Sequence, residues 1–471
     1  MTKLRLLLCA LLFSGIPIAH AQYTDMYDFN GTNGGNPEYG ALTLSGTVLY
    51  GMTNEFTVGT GNIFSINTDG SSYADIFDFG NVVNGENPYG SLTFSGGVLY
   101  GMTSDGGSTY PYGDGNIFGI NTNGTGYTKL YHFTNLTAGS TPNGSLTQSG
   151  NVFYGMTLEG GANGIGNIFS VNTDGSGYVD MYDFTNASGC SPYGTTLVLS
   201  GNVLYGMTFK GGANGDGDIF SINTNGTGFT DMLDFNGTNG ASPYGSLTLS
   251  GNVLYGMTAV GGPSYNGNIF SININGTGYT DLFDFNGVNG QGPEGSLTLV
   301  GNVLYGMTVY GGASSDGNIF SINTNGTGFT DLFDFSGSNG KQPEGSLTVS
   351  GNTLYGMTYA GGASGYGVIF SFKVNGLGLE KVTSTEGMLN VYPNPSNGKF
   401  TLAFSHPELV SGSQTITIYN DLGEQVYDGM PKQIQHNNSI DLSTQPDGIY
   451  LYRVISDNGN LLGEGKVIIQ K

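Results

Sequence analysis

The octapeptide GNVLYGMT is written without change at residues 201–208, 251–258 and 301–308, and near copies stand at 46–53, 96–103, 150–157 and 351–358. Their central tyrosines are Tyr50, Tyr100, Tyr154, Tyr205, Tyr255, Tyr305 and Tyr355, separated by 50, 54, 51, 50, 50 and 50 residues. A fixed period of this length means that one supersecondary unit is stacked on its own copies, because a single unit cannot bury its apolar face alone.

The copy over residues 292–341 reads as four antiparallel strands and no helix. Two short β-rich runs, 295–300 and 302–308, turn at Gly301; a glycine-rich loop, VYGGASSDG, leads to the run 318–323. Asn325-Gly326, a strong two-residue hairpin signal, then turns the chain into FTDLFDF at 329–335. In that last run Phe329, Phe333 and Phe335 fall on one face and Leu332 on the other, so the strand expects cover on both sides. Four-stranded sheets covered on both faces by their neighbours are the blades of a propeller. A solenoid would need atypical capping repeats at its ends, and none is visible.

The ends of the repeat region favour a closed ring. The seventh copy reaches Asn375-Gly376 without its FTDLFDF strand, whereas QYTDMYDF at 22–29 is that same strand with no blade before it. The expected fold is therefore all-β: a seven-bladed propeller closed by its N-terminal strand, followed by a small Ig-like β-sandwich. The linkers from the last strand of one blade to the first of the next each carry a proline (Pro37, Pro88, Pro142, Pro192, Pro243, Pro293, Pro343). Linkers and glycine-rich loops emerge on one face, where variable chemistry is to be sought.

The order of hydrophobic strand, Gly-Gly and aromatic hairpin resembles the kelch-type blade. More closely, LYGMTxxGGxxxxGNIFSINTNGTGYTDLFDF resembles the GloVer-type tandem repeat of secreted proteins from Bacteroidota and other environmental bacteria. The resemblance covers residues 22 to about 376 and implies an extracellular β-propeller; it implies no reaction.

The N-terminal MTKLRLLLCALLFSGIPIAHA has basic Lys3 and Arg5, an apolar run over 6–18 and an A-x-A site ending at Ala21, the pattern of a cleaved signal peptide. No later run is apolar for long enough to predict a transmembrane helix. Expected boundaries are a signal peptide at 1–21, propeller at 22–380, linker at 381–388 and a terminal domain at 389–471. That last domain shows about seven strand-like runs, a sandwich pattern. Tyr392-Pro393-Asn394-Pro395 with Gly398, ITIYNDLGEQV, Pro446-Asp447-Gly448-Ile449-Tyr450 and a final stretch from Lys466 to Lys471 resemble the C-terminal sorting domain of the type IX secretion system. That resemblance implies export through the Sec pathway, contact with the type IX secretion machinery as a partner, and release or anchoring at the outer-membrane surface.

Charge narrows the partners. Residues 22–380 carry 26 acids against four lysines and no arginine, a balance that repels phosphate backbones and anionic membranes. Catalytic pairs are scarce. His132 is the lone histidine of the repeats and occupies a strand slot where other copies have aspartate, a packing position. Cys190 has no cysteine to pair with once Cys9 is removed with the signal, and sits where the next copy has Ala241. The recurrent strand aspartates, such as Asp331 and Asp334, read as charges that discourage edge-to-edge pairing. Loops 105–115 and 211–218 offer oxygen ligands of the type Ca²⁺ prefers but match no calcium motif, so no resident cofactor is expected, with Ca²⁺ in these loops as the alternative.

The remaining candidates are loop tyrosines outside the repeat pattern: Tyr110, Tyr112, Tyr265, Tyr310, Tyr359 and Tyr366. On a shared face they would form an aromatic, acidic rim for a glycan or a surface-protein ligand. The leading expectation is a secreted or surface-displayed binding propeller. The alternatives are an extracellular polysaccharide-degrading enzyme on the same scaffold and a purely structural surface protein.

Overall fold

A computed structural model describes residues 22–54, 60–80, 83–107, 114–133, 136–374, 389–404, 414–419, 425–429, 437–456 and 461–471. The signal peptide with its site at Ala21, the linker 381–388, and the candidates Tyr110 and Tyr112 lie outside the described residues. The chain divides into two compact units, Met1–Leu377 and Gly378–Lys471.

In the first unit every repeat forms one four-stranded antiparallel sheet, and there are seven. The first blade runs from its innermost strand Thr43–Ser45 through Val48–Thr53 and Asn62–Asn67 to its outermost strand Ala74–Asp78. The seventh is permuted as expected. Thr348–Ser350, Thr353–Met357 and Val368–Lys373 come from the end of the repeats, and Gln22–Asp28 pairs on as the outermost strand, with Tyr23 opposite Phe372 and Asp28 opposite Val368.

Two series of side chains link blade to blade, and the second also joins the seventh blade to the first. Around the innermost strands, the hydroxyl of each blade's Ser or Thr accepts the backbone N–H of the blade before it: Ala41 to Ser91 at 2.7 Å, Ser91 to Ser145, Ser145 to Thr196, Thr196 to Ser246, Ser246 to Ser296, and Ser296 to Ser346. Two residues on, threonine hydroxyls of six blades donate to the next blade's leucine carbonyl, from Thr43 to Leu92 round to Thr348, which reaches Leu42 of the first blade; the fourth blade has Val198 there. Each bond is worth about 1 kcal/mol net, so the series fixes register more than it supplies bulk stability.

The apolar core lies between blades. Tyr205 and Met207 of the fourth blade pack with Leu247, Leu254, Phe270 and Ile272 of the fifth, and every junction repeats this set. The last phenylalanine of each outer strand meets the third-strand phenylalanine of the next blade edge-on. There are seven such pairs, from Phe29–Phe64 to Phe335–Phe370, with centroids 5.3–5.5 Å apart. Edge-to-face geometry suits the aromatic quadrupole.

GNVLYGMT is thus the second strand of its blade. A Cβ on Gly206 would stand 2.4 Å from Cζ of Phe220, and the same holds within 2.3–2.5 Å at Gly51, Gly101, Gly155, Gly256, Gly306 and Gly356. Glycine is required there because the third-strand phenylalanine lies across it. The outermost strand is less regular than its sequence suggests: Asp331 pairs with Phe320 and Phe333 with Ile319, so Leu332 is bulged out of the ladder. The bulge sends Phe329 toward Phe283 of the preceding blade and Phe333 toward Tyr23 of the next, which supplies cover on both sides.

The second unit pairs a three-stranded sheet (Leu389–Tyr392, Lys399–Phe404, Asn437–Asp441) with a four-stranded one (Gln425–Gly429, Gln414–Tyr419, Gly448–Ser456, Leu461–Ile469). Phe400, Leu402 and Ile440 from one sheet and Ile416, Val454 and Val467 from the other share a core, the sandwich expected.

Candidate functional site: the channel mouth

Seven near-identical blades can carry distinct chemistry only where they stop agreeing. One such register is the residue between each linker proline and the glycine that opens the innermost strand: Glu38 with Tyr39, Tyr89, Asn143, Tyr193, Tyr244, Glu294 and Glu344. The glycines that follow pack blade against blade; a Cβ on Gly295 would stand 2.0 Å from the Gly345 carbonyl oxygen, and one on Gly345 would stand 2.2 Å from that of Gly40. The variable residues therefore ring one end of the central channel.

The first linker alone has two residues between its proline and that glycine, Glu38 and Tyr39, where each of the others has one. Tyr39 sits at φ 45°, in a tight turn closed by the Gly40 N–H donating to the Glu38 carbonyl. That turn sends its ring across the mouth. Tyr39 stacks on Tyr244 from the opposite side of the ring (centroids 6.0 Å, 15° between planes) and meets Tyr193 edge-on at 5.4 Å. Phe209 backs Tyr244 at 4.6 Å.

Three carboxyls complete the mouth. Glu294 is pushed up to about 7 by burial and by Glu38, and Glu344 to about 9 by burial and by both of the others. Burial likewise raises Glu38 to about 7, opposed by the neighbouring Asn54 amide. Among the described residues no lysine or arginine acts on any of the three. Asn54 itself is fully buried, and neither its Nδ2 nor its Oδ1 has a hydrogen-bond partner among the described residues. It stands against Glu38 and Tyr89, lowering the pKa of both without a bond of ordinary geometry.

Of the loop tyrosines proposed from sequence, the four that are described, Tyr265, Tyr310, Tyr359 and Tyr366, make no ring contact with one another. Tyr359 faces the mouth, where Glu38 and Glu344 raise its pKa after burial, and its carbonyl accepts from Asn36 Nδ2 at 3.0 Å. Tyr366 is taken up by packing, its ring lying under Gly31 and Gly35. Tyr265 is 73% exposed at the tip of its loop, and Tyr310, 43% exposed, lines a shallow cavity with Val288 and Gln291. The channel ring was not singled out from sequence, although one signal was present: the residue after each linker proline varies while everything around it repeats.

The recurrent aspartates divide into two roles. The first of each pair, as in Asp231 and Asp331, is exposed on the outermost strand, in keeping with edge protection. The second holds the Gly-Gly-Ala turn: Asp183, Asp234, Asp334 and Asp28 accept the N–H of Ala162, Ala213, Ala313 and Ala363. In the loop of the fifth blade proline replaces that alanine, and Asp284 Oδ1 is left without a hydrogen-bond partner among the described residues.

Asp218 stands where five other blades have asparagine and the seventh has Val368. It is fully buried, accepts from Thr208 Oγ1 at 2.6 Å, and burial pushes it up to about 8. This places one member of the 211–218 loop inside the blade and away from any open cation site. Loop 105–115 falls largely outside the described residues. Among the described residues no three His, Cys, Asp or Glu side chains are arranged to hold a metal. His132 is half-buried beside Gly107 with its pKa lowered by burial and by Lys129, and Cys190 is buried with its thiol pushed up by burial.

In the terminal domain the singled-out motif residues meet one another. Asn394 Nδ2 donates to the Lys466 carbonyl at 3.0 Å and its Oδ1 accepts from Ile468 N at 2.8 Å, so the loop holding Pro393 and Pro395, both after cis peptide bonds, is tied to the last strand. Gly398 (φ 101°) lies against Ser443, where a Cβ would stand 2.6 Å from its Cα. Tyr450 Oη donates to the Pro446 carbonyl at 2.8 Å, over the turn that contains Gly448. Lys471 donates through its backbone to Asp447 and through Nζ to the Gln445 carbonyl.

A ring of four-stranded blades with a sandwich tail so clamped defines a repeat propeller carrying an export domain. The chain belongs to the Gloeobacter/Verrucomicrobia repeat family, which matches residues 12–157, 112–310 and 289–398. Residues 390–470 match the secretion system C-terminal sorting domain, so the protein is sorted by the type IX secretion machinery to the cell surface or the extracellular space. Among the described residues no helix is long and apolar enough to cross a membrane.

Among solved structures the chain is similar to PorZ, a surface component of the type IX secretion system of Porphyromonas gingivalis (13% identity, TM-score 0.45, covering 93% of this chain and 60% of that one). It is also similar to the extracellular domain of a putative hybrid two-component system from B. thetaiotaomicron (12%, TM-score 0.48, 96% and 59%). A third is the β-propeller domain of the Trilobed protease from Pyrococcus furiosus (8%, TM-score 0.44, 72% and 95%). The chain spans about three fifths of the length of the first two. No curated protein matches the sequence.

Proposed function

We propose that residues 22–380 form a binding module that takes a glycan at the mouth of its channel, and that residues 389–471 deliver it to the cell surface or beyond. The observation that carries this reading is the cluster of Tyr39, Tyr193 and Tyr244 with Glu38, Glu294 and Glu344 at a register where the blades differ in chemistry. Aromatic faces take the C–H faces of sugar rings, and carboxyls accept hydrogen bonds from hydroxyls. A propeller mouth gathers side chains from several blades onto a rigid frame, which suits recognition more than loops do.

The test is a glycan array probed with the purified, full-length protein and with Tyr39→Ala and Tyr244→Ala variants. Binding to a defined set of oligosaccharides, weakened tenfold or more in both variants with the melting temperature kept, is the expected result. A blank array, or binding indifferent to both tyrosines, would reject the mouth as the site.

A further inference from the structure

We infer that the ligand of the channel mouth carries a protonated primary amine on a sugar ring, with the amine held by Glu38, Glu294 and Glu344 and the ring lying against the Tyr39–Tyr244 stack. This deepens the glycan-binding reading and rests on it.

The first reason is the missing counter-charge. Three carboxyls from the first, sixth and seventh blades act on one another at one end of the channel, and no basic side chain among the described residues acts on any of them. The fold does not require acids in this register, since tyrosine or asparagine fills it in the second to fifth blades. Burying carboxyls without a partner is costly, and a cation supplied by a ligand removes that cost.

The second reason is Asn54. A fully buried amide with both polar atoms unpartnered is rare in a folded protein, and this one faces the same Glu38 and Tyr89. A bare alkylammonium would leave it so. A ring bearing hydroxyls beside its amine can donate to Oδ1 and accept from Nδ2.

The third reason concerns the kind of cation. The carboxyls influence one another but do not converge in a metal-holding arrangement. An ammonium offers three N–H donors with its charge spread over a larger volume, and tyrosine faces attract it at distances out to about 6 Å. Tyr39, Tyr193 and Tyr244 present such faces between the acids.

The experiment is calorimetric titration of the full-length secreted protein with three probes: a β-1,4-linked glucosamine tetramer, its fully N-acetylated counterpart, and tetralysine. The free-amine tetramer is expected to bind at least tenfold more tightly than either of the others. Glu294→Gln and Glu344→Gln, which keep shape and remove charge, are expected to erase that preference while leaving the melting temperature unchanged or higher. Equal or tighter binding of the N-acetylated tetramer, or a preference untouched by both variants, would overturn the inference. Tetralysine matching the glucosamine tetramer would overturn the sugar assignment. If neutral sugars bind through Tyr39 and Tyr244 with no amine preference, the glycan-binding reading stands and the amine is rejected; if no oligosaccharide binds, both fall.

Discussion

Oγ1 of Thr348 donates to the carbonyl of Leu42 at 2.5 Å across 306 residues of sequence, joining the innermost strand of the last blade to that of the first. The same junction carries Phe29 against Phe64 and the strand Gln22–Asp28 on Val368–Lys373. Removing residues 22–28 strips the seventh blade of its outer strand, so the propeller should melt at a lower temperature and unfold over a broader range. An unchanged calorimetric transition would contradict closure by this strand.

Ala41 is the one position of the inner ring without a hydroxyl, where six other blades have Ser91, Ser145, Thr196, Ser246, Ser296 and Ser346. Ala41→Ser offers an acceptor to Ser346 and should stabilise the ring by about 1 kcal/mol, which for a domain of this size raises the melting temperature by about 1–2 °C. Differential scanning calorimetry reads this directly, and a fall in stability would mean the junction is spaced differently from the other six.

Gly206→Ala should destabilise by about 1–3 kcal/mol through overpacking against Phe220. Trimming that ring in Gly206→Ala/Phe220→Leu should recover part of the loss, because the two positions share one space. Additive losses in a denaturant double-mutant cycle would show that the glycine serves some other purpose.

Asp218 has a folded-state pKa near 8 against an ordinary value of 3.8. The folded chain holds this proton where the unfolded chain releases it, so the stability it supports is complete below about pH 4 and is lost as pH rises toward 8. Asp218→Asn keeps the Thr208 contact and removes the titration. Its melting temperature should exceed the wild type's by more at pH 8 than at pH 5; an equal gain at both would mean the carboxyl is solvated after all.

Asn394→Ala removes both ties from the Pro393–Pro395 loop to the last strand. It should lower the stability of the terminal domain by about 1–3 kcal/mol and reduce the amount of protein reaching the cell surface, while the propeller transition stays where it was. Normal surface delivery with a loosened domain would separate the motif's structural role from its part in export.

The period, the four strands of each blade and the permuted closure were legible because they are local or nearest-neighbour facts. Each blade touches the next copy of its own sequence, so the contacts repeat with the letters. The bulge at Leu332 was not legible, since alternation in FTDLFDF counts residues and cannot show which one leaves the ladder. The second aspartate of that strand read as an edge charge and proved to cap the Gly-Gly-Ala turn, a contact about 21 residues away within the same blade.

The sequence alone determined that this chain is a closed ring of repeated blades with an export domain, because periodic burial leaves a chain of this kind few other ways to cover its apolar faces. Only the tertiary structure decided where chemistry gathers. Ring closure brings Glu38 and Tyr39 of the first blade beside Glu344 of the seventh and across from Tyr244 of the fifth, residues separated by 200 positions or more. The four described loop tyrosines, Tyr265, Tyr310, Tyr359 and Tyr366, were scattered to tip, shallow cavity, mouth and packing by the shapes of their individual loops. Side chains from different blades meet only where the radii of the ring converge, and that point is set by the whole circle and by no single repeat.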